Sequence, residues 1–282
     1  MRLVSFQRNG AVEPGLLLEE KVVSLATSGF STLLEIIERG EEARDRLNAV
    51  VANPLSPAIP IREVRLVAPL PRPPKIICVG LNYRDHALEC NEKLPSVPTI
   101  FSKFPTAIIG PGDEIVLPKR STKPDYEAEL AVVIGKKGRY ISKHDWREYV
   151  FGYTNFNDVS ARDYQAATSQ WMIGKTFDTF APMGPAIVTA DEIPDPHALE
   201  IQTVINGEVL QSSNTSEMIF RLPDLLEYIS SVFTLEPGDV ISTGTPAGVG
   251  EAKNPPRWLR AGDDVEVRIT GLGELRNRVT AE

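Results

Sequence analysis

Short apolar runs broken by turn residues recur along this chain, and few of them last long enough to make a helix. Positions 3–6 read as a strand, a hairpin-like pair turns at Glu19-Glu20, and Leu33, Leu34, Ile36 and Ile37 form the apolar face of an amphipathic helix. Pro69-Leu70-Pro71-Arg72-Pro73-Pro74 holds four prolines in six residues, which predicts a stiff, extended connector. A boundary there separates a small N-terminal α/β domain, 1–70, from a larger one, 71–282. Past it, strand patterns dominate: 76–79, 130–134, 201–205 with 208–211, 240–243, and 265–269 with 274–279. Asn206-Gly207 predicts a type I′ hairpin turn, because both central residues must take positive φ. A short helix opens at Pro223-Asp224 and carries Leu225, Leu226 and Ile229. The expected fold class is α+β and β-rich.

Composition agrees. The 23 prolines among 282 residues favour strands, turns and rigid loops, since proline lacks the N–H that helix interiors and central strands need. A hydrophobic share of 42% with 24% charged residues is that of an ordinary globular protein. Lys and Arg total 30 against 38 Asp and Glu, a net charge of −8 without a long basic run, so no nucleic-acid partner is expected. Apolar runs fall short of the ~18–20 residues that span a bilayer, and the opening Met-Arg-Leu-Val-Ser-Phe-Gln-Arg breaks off too early for a signal sequence. The expectation is therefore no membrane partner and a cytoplasmic location. Cys78 and Cys90 have a spacing that fits neither a zinc nor a redox motif, and both are expected to be reduced thiols.

Several familiar chemistries fail on residue identity. Gly174-Lys175-Thr176 looks like the end of a phosphate loop, but Ser169 stands where the motif needs its first glycine. Gly244-Thr245-Pro246-Ala247-Gly248 has the outer glycines of a nucleophile elbow with Pro246 in place of serine. His86, His144 and His197 include no pair at zinc spacing.

The most informative stretch is Asp125-Tyr126-Glu127-Ala128-Glu129, running into the apolar 130–134. Alternation along a strand sends Glu127 and Glu129 to one face, while the apolar continuation carries the strand into a buried sheet. Two carboxylates on a desolvated face repel each other, and a divalent cation removes that cost. All-oxygen ligation favours Mg²⁺ first, with Mn²⁺ or Ca²⁺ as alternatives. The competing reading, two glutamates on a solvated strand end, has equal weight on spacing alone. Asp158 is a third candidate carboxylate, or else a helix cap. Arg162 and Gln165, at i and i+3, would share a helical face suited to a carboxylate-bearing ligand, although a surface ion pair is the commoner fate of such an arginine.

These stretches occur in order with Val79-Gly80-Leu81-Asn82-Tyr83-Arg84-Asp85-His86, Asn157-Asp158-Val159-Ser160-Ala161-Arg162-Asp163, Gly174-Lys175-Thr176-Phe177 and Thr243-Gly244-Thr245-Pro246-Ala247-Gly248-Val249-Gly250. The ordered set resembles the fumarylacetoacetate hydrolase superfamily over residues 75–280. Within it, the 174–180 block, Ser212-Ser213-Asn214-Thr215 and the late Pro255-Pro256 are most similar to the branch of fumarylacetoacetate hydrolase domain-containing protein 2. The resemblance implies a mixed β-roll core behind a small N-terminal domain, usually in a homodimer. It implies one Mg²⁺ or Mn²⁺ held by Glu127, Glu129 and Asp158, and a catalytic pair, His86 and Glu89, on a mobile segment over the metal. At i and i+3 this pair shares a helical face, where Glu89 can orient the imidazole; spacing alone favours a solvent-facing pair instead. Asn82 is expected to cap that helix. Lys175 matches the family's site lysine, which neutralises a developing enolate oxygen. Arg162, Gln165 and Thr245 match positions that bind substrate oxygens, and the Gly-rich 244–250 loop either offers backbone N–H groups to the substrate too or is a plain turn, which explains its glycines equally well without the resemblance. The founding hydrolases carry a further aspartate ligand that has no counterpart here, since Asp85 adjoins His86.

The implied activity is metal-dependent and acts on short 2-oxo or diketo acids. Hydrolysis of a carbon–carbon bond in an acylpyruvate or fumarylpyruvate through an enolate leads narrowly. The alternative is oxaloacetate keto–enol tautomerisation or decarboxylation at the same site, which needs the same metal and base. A noncatalytic metabolite-binding homologue is a second alternative, against which His86, Glu89 and Lys175 argue.

Overall fold

The computed structural model describes residues 1–8 and 10–282. A large mixed sheet forms the centre. Its strands run in the spatial order Ile59–Pro60, Lys21–Ser24, Ala11–Leu18, Arg2–Arg8, Ala181–Thr189, Val150–Asn157, Ala128–Ile134, Val240–Ser242, Ile76–Gly80 and Thr99–Ser102. Most neighbours are antiparallel, but Val240–Ser242 and Ile76–Gly80 pair in parallel. A second sheet has the order Glu208–Asn214, Glu200–Ile205, Asp264–Ile269, Gly273–Ala281 and Glu114–Leu117. The strand-rich α+β class expected from the pattern is the observed one.

The strand Ala128–Ile134 shows how the residues select this arrangement. All seven are buried, as expected for a strand covered on both faces. Leu130, Val132 and Ile134 join one core with Leu222, Leu225, Leu226 and Ile229 of the helix Leu222–Val232 and with Ile201, Val267 and Leu275 of the second sheet. Ala131 and Val133 point the other way, into a core shared with Leu33, Ile36 and Ile37 of the helix Leu33–Arg39 and Leu47 of the helix Glu41–Ala52. Glu127 and Glu129 have the parity of Ala131 and Val133, at the end of the strand where that second core gives way to a cavity.

The first strand, Arg2–Arg8, pairs with Ala181–Thr189, with Leu3 opposite Ile187. The N-terminal strands therefore continue the sheet formed by the rest of the chain, and the division expected at residue 70 falls within one sheet. The Asn206-Gly207 turn has φ of 53° and 85°, as the I′ reading requires, and joins Glu200–Ile205 to Glu208–Asn214. Among the described residues no helix is long and apolar enough to cross a membrane.

Candidate metal centre and its cavity

Glu127, Glu129 and Asp158 each offer an oxygen, and these atoms lie within 4.8 Å of one another. The strand pair that carries them fixes this. Ala128 lies opposite Asn157, the Glu127 N–H donates to Asn157 Oδ1 at 3.0 Å, and the Asp158 N–H donates to the Glu127 carbonyl at 2.9 Å. All three side chains are buried. Asp158 does not cap the following helix, Arg162–Gln165, whose N-cap is Ala161.

Burial, and then the charges of Asp158 and Glu127, push the Glu129 carboxyl well above the usual carboxylate range. Glu127 goes the other way: burial raises it, but Lys175 and Arg162 outweigh burial and hold it low. Glu129 Oε2 accepts from the Ser242 hydroxyl and, at 2.9 Å, from the Gly244 N–H. With Glu129 ionised, as a bound cation would make it, these carboxylates together with buried Asp125 outnumber the buried cations among them, Lys103, Arg162 and Lys175, by one charge. An oxygen-only donor set with excess negative charge, out of water, fits a hard divalent cation.

The cations bind the carboxylates directly. Lys175 Nζ donates to Glu127 Oε2 at 2.7 Å and to Asp158 Oδ2 at 2.8 Å, and lies 5.2 Å from the Phe101 ring centre. Burial lowers its pKa, but Asp158 and Glu127 outweigh burial and the net shift is upward. Lys103 Nζ donates to Asp158 Oδ1 and, at 3.0 Å, to the Val159 carbonyl. Arg162 reaches Glu127 Oε1 through Nη1 at 2.6 Å, Gln165 Oε1 through Nη1 at 3.0 Å and Asp125 Oδ2 through Nε at 2.9 Å. Its Nη2 is buried and has no hydrogen-bond partner.

His86 and Glu89 stand over this centre on the short helix Arg84–Glu89. His86 Nδ1 is 3.1 Å from Glu89 Oε2, and Glu89 Oε1 accepts from the Gly248 N–H at 2.8 Å. Burial lowers the imidazole pKa, but hydrogen bonds to Cys90 and Glu89 and the charges of Cys90 and Glu127 overcome this and raise it to about 9. Asn82 is not the helix cap. Tyr83 holds that position, while Asn82 Nδ2 donates to the Phe220 and Thr243 carbonyls, fastening the segment before the helix to the body.

His86, Glu89, Glu127, Glu129, Asp158, Arg162, Gln165, Lys175 and Thr245 all line one cavity of about 600 Å³, with Trp171 and Phe101 among its apolar walls. Two expectations about the Gly-rich loop are corrected. The N–H groups of Gly244, Gly248 and Gly250 go to Glu129, Glu89 and Asp125, so the loop orients protein carboxylates rather than offering these donors to a ligand. Gly248 is required there: its φ is 104°, and a Cβ would lie 2.4 Å from the Leu210 carbonyl oxygen. The Thr245 hydroxyl donates to the Ala128 carbonyl at 2.9 Å and accepts from Gln211 Nε2 at 2.9 Å, which leaves no donor for a substrate oxygen.

Sequence reasoning missed Asp125 and Lys103. Asp125 accepts from Arg162 and from the N–H groups of Gly250 and Glu251, at 2.7 and 3.0 Å, and joins the arginine to the loop. Its odd-numbered parity with Glu127 and Glu129 was a usable signal. Lys103 gives none, since its partner lies 55 residues away.

The family described as fumarylacetoacetate (FAA) hydrolase C-terminal matches residues 75–280. The chain belongs to this family. It is 48% identical to a mitochondrial oxaloacetate tautomerase, Fahd2a, of Rattus norvegicus, over 99% of this chain and 91% of that protein. The mitochondrial oxaloacetate tautomerase FAHD2A of Homo sapiens is 46% identical over the same shares. Among solved structures, the fumarylacetoacetate hydrolase of psychrophilic Exiguobacterium antarcticum superposes with a TM-score of 0.89 at 38% identity, covering 100% of both chains. Maleylpyruvate hydrolase from Sphingobium sp. SYK-6, in complex with manganese(II) and pyruvate, superposes with a TM-score of 0.85 at 30% identity, over 100% of this chain and 99% of that one. The domain-containing-2 branch is thus the right one, and the relatives named as oxaloacetate tautomerases favour the tautomerase alternative over the hydrolase reading. The cytoplasmic expectation is overturned by the same relatives, which are mitochondrial. It rested on composition and the lack of an apolar span, which are the same for an enzyme of either compartment, because a cellular address is read by receptors and not by the fold.

Proposed function

We propose that the chain interconverts the enol and keto forms of oxaloacetate, with Glu127, Glu129 and Asp158 holding Mg²⁺, or Mn²⁺ in its place. When bound, such an ion supplies an electrophile that favours negative charge on the 2-oxo oxygen. The chain's own residues do the rest. Arg162, whose side chain lines the cavity, receives a substrate carboxylate, and Gln165 lies beside it. Lys175 spends two of its three N–H donors on Glu127 and Asp158 and places its charge where the oxygen becomes negative. His86 carries the proton. In the ketonising direction the imidazolium gives its proton to C3, the enol O–H releases one that restores the imidazolium, and the C2–C3 double bond becomes C2=O. Glu89, fixed by the Gly248 N–H, holds the ring in place.

The observation that carries this reading is one His–Glu pair and one three-carboxylate centre on a single cavity, in a chain nearly half identical to oxaloacetate tautomerases over 99% of its length. Tautomerisation asks only for that inventory, whereas hydrolysis also needs a positioned water and a departing carbon. A homodimer as the working assembly belongs to the same proposal, and sedimentation of the purified chain checks it. The deciding experiment follows enol decay of oxaloacetate beside cleavage of acylpyruvates and fumarylpyruvate and loss of CO₂ from oxaloacetate, with Mg²⁺, Mn²⁺ or EDTA. We expect metal-dependent enol decay that H86A abolishes. Cleavage or decarboxylation outpacing it would install those readings, and silence on every substrate would favour a noncatalytic binder.

A further inference from the structure

Two residues off the cavity wall hold the start of the helix Arg84–Glu89. Tyr83, its N-cap, makes no side-chain capping hydrogen bond, so the His86 N–H in the first turn needs another acceptor. Asp85 supplies it. Its Oδ1 accepts from the His86 N–H at 2.8 Å, and its Oδ2 accepts from the Ser213 hydroxyl at 2.6 Å. One carboxylate thus bridges the backbone of His86 to the strand Glu208–Asn214. We propose that Asp85 and Ser213 are positioning residues that set where the His86–Glu89 pair stands over the carboxylate centre. The consequence for turnover rests on His86 as the proton carrier, whereas the positioning itself does not.

The strand that receives Asp85 also holds the strand of the metal-site glutamates. Residues 211 and 213 share a face by alternation. Gln211 Oε1 accepts from the Ala128 N–H, between Glu127 and Glu129, at 2.9 Å. Two positions on, Ser213 reaches Asp85. A single strand face therefore fixes the proton carrier and the carboxylates relative to each other. The remaining ties of the helix start go to the segment after that strand: Arg84 Nη1 donates to the Met218 carbonyl at 3.0 Å, and the Phe220 N–H donates to Asn82 Oδ1 at 2.8 Å. Among these contacts only Asp85 bonds to His86 itself. Proton transfer to carbon needs the donor in near contact, and a misplacement of about 1 Å costs up to about 100-fold in rate. Because neither Asp85 nor Ser213 lines the cavity, the loss falls on kcat and leaves substrate binding in place.

The test compares D85A, S213A, their double variant, D85N and S213T with the unsubstituted chain and with H86A, all in Mg²⁺. We expect kcat for enol decay to fall about 10- to 100-fold in D85A and in S213A, with KM held within about twofold. The double variant should be no slower than D85A, because both changes break one bridge. S213T restores the hydroxyl, and the amide of D85N can accept from the His86 N–H and donate to Ser213 Oγ, so each recovers most of the loss. A second readout is independent of turnover. The three histidines give three Cε1–H signals in chain labelled with ¹³C-histidine, and H86A assigns the one from His86. That signal should move in D85A and S213A and return in S213T. An unmoved signal in both variants, additive losses of kcat, or a D85N as slow as D85A would overturn the bridge. Unchanged rates in D85A and S213A beside an inactive H86A would overturn it too. Unchanged rates beside an equally active H86A would instead remove His86 as the proton carrier, and the histidine signal would then decide the bridge.

Discussion

At the residue scale, the chemistry-bearing side chains were legible wherever a local rule ties them together. Alternation along a buried strand puts Glu127 and Glu129 on one face, and helical spacing does the same for His86 with Glu89 and for Arg162 with Gln165; the reading of His86 and Glu89 as a catalytic pair comes from the family resemblance, since spacing alone favours a solvent-facing pair. Asp125 shows the limit. It has the parity of the glutamates, yet its importance lies in what it holds: Arg162 Nε at 2.9 Å and two backbone N–H groups of the 250–251 turn. D125N keeps the size and removes the charge, so Arg162 loses the carboxylate that holds its Nε, while Glu127 and Gln165 still hold Nη1. Hydrogen bonds to charged groups contribute about 1.5–3 kcal/mol. We expect kcat/KM for oxaloacetate to fall by an order of magnitude or more, chiefly through KM, in steady-state assays. An unchanged KM would remove Arg162 from carboxylate binding.

At the element scale, strong local signals read correctly and masked ones did not. Asn206-Gly207 and the helix at Pro223-Asp224 are where the pattern puts them. The strand Ala181–Thr189 was missed because Pro182 and Pro185 disguise it, although it lies between Arg2–Arg8 and Val150–Asn157. The helix Glu41–Ala52 was missed because it buries only Ala43, Leu47 and Val50. The helix Leu222–Val232 carries a testable dependence on pH at its start. The Leu222 N–H donates to His197 Nε2 at 3.1 Å, so the imidazole must be neutral there. Burial, reinforced by Arg221 and Arg147 and opposed by Asp195, lowers the His197 pKa from 6.5. A depressed folded-state pKa means that the unfolded chain binds more protons in this window. The contribution is complete above about 6.5 and is lost as pH falls through the folded-state value. Melting curves across mildly acidic pH should show the unsubstituted chain losing stability relative to H197Q, and parallel curves would refute the dependence.

At the scale of the whole molecule, the centre joins distant parts of the chain: Lys103, the 127–129 strand, Asp158, Lys175 and the 242–244 strand end. A divalent ion bound there favours the folded state. At a free concentration about 100 times its Kd, stabilisation by mass action is about 2.7 kcal/mol. We expect Mg²⁺ or Mn²⁺ to raise the Tm, EDTA to reverse the shift, and the E127Q/E129Q double variant to show none. The sequence alone determined the kind of chemistry, because residue type sets donor hardness, and alternation sets which side chains share a face. Tertiary structure decided which charges meet. Lys103 and Lys175 reach Asp158 across 55 and 17 residues, and the glycine N–H groups turn to carboxylates, because only packing of the sheets fixes distances between segments that no local spacing connects.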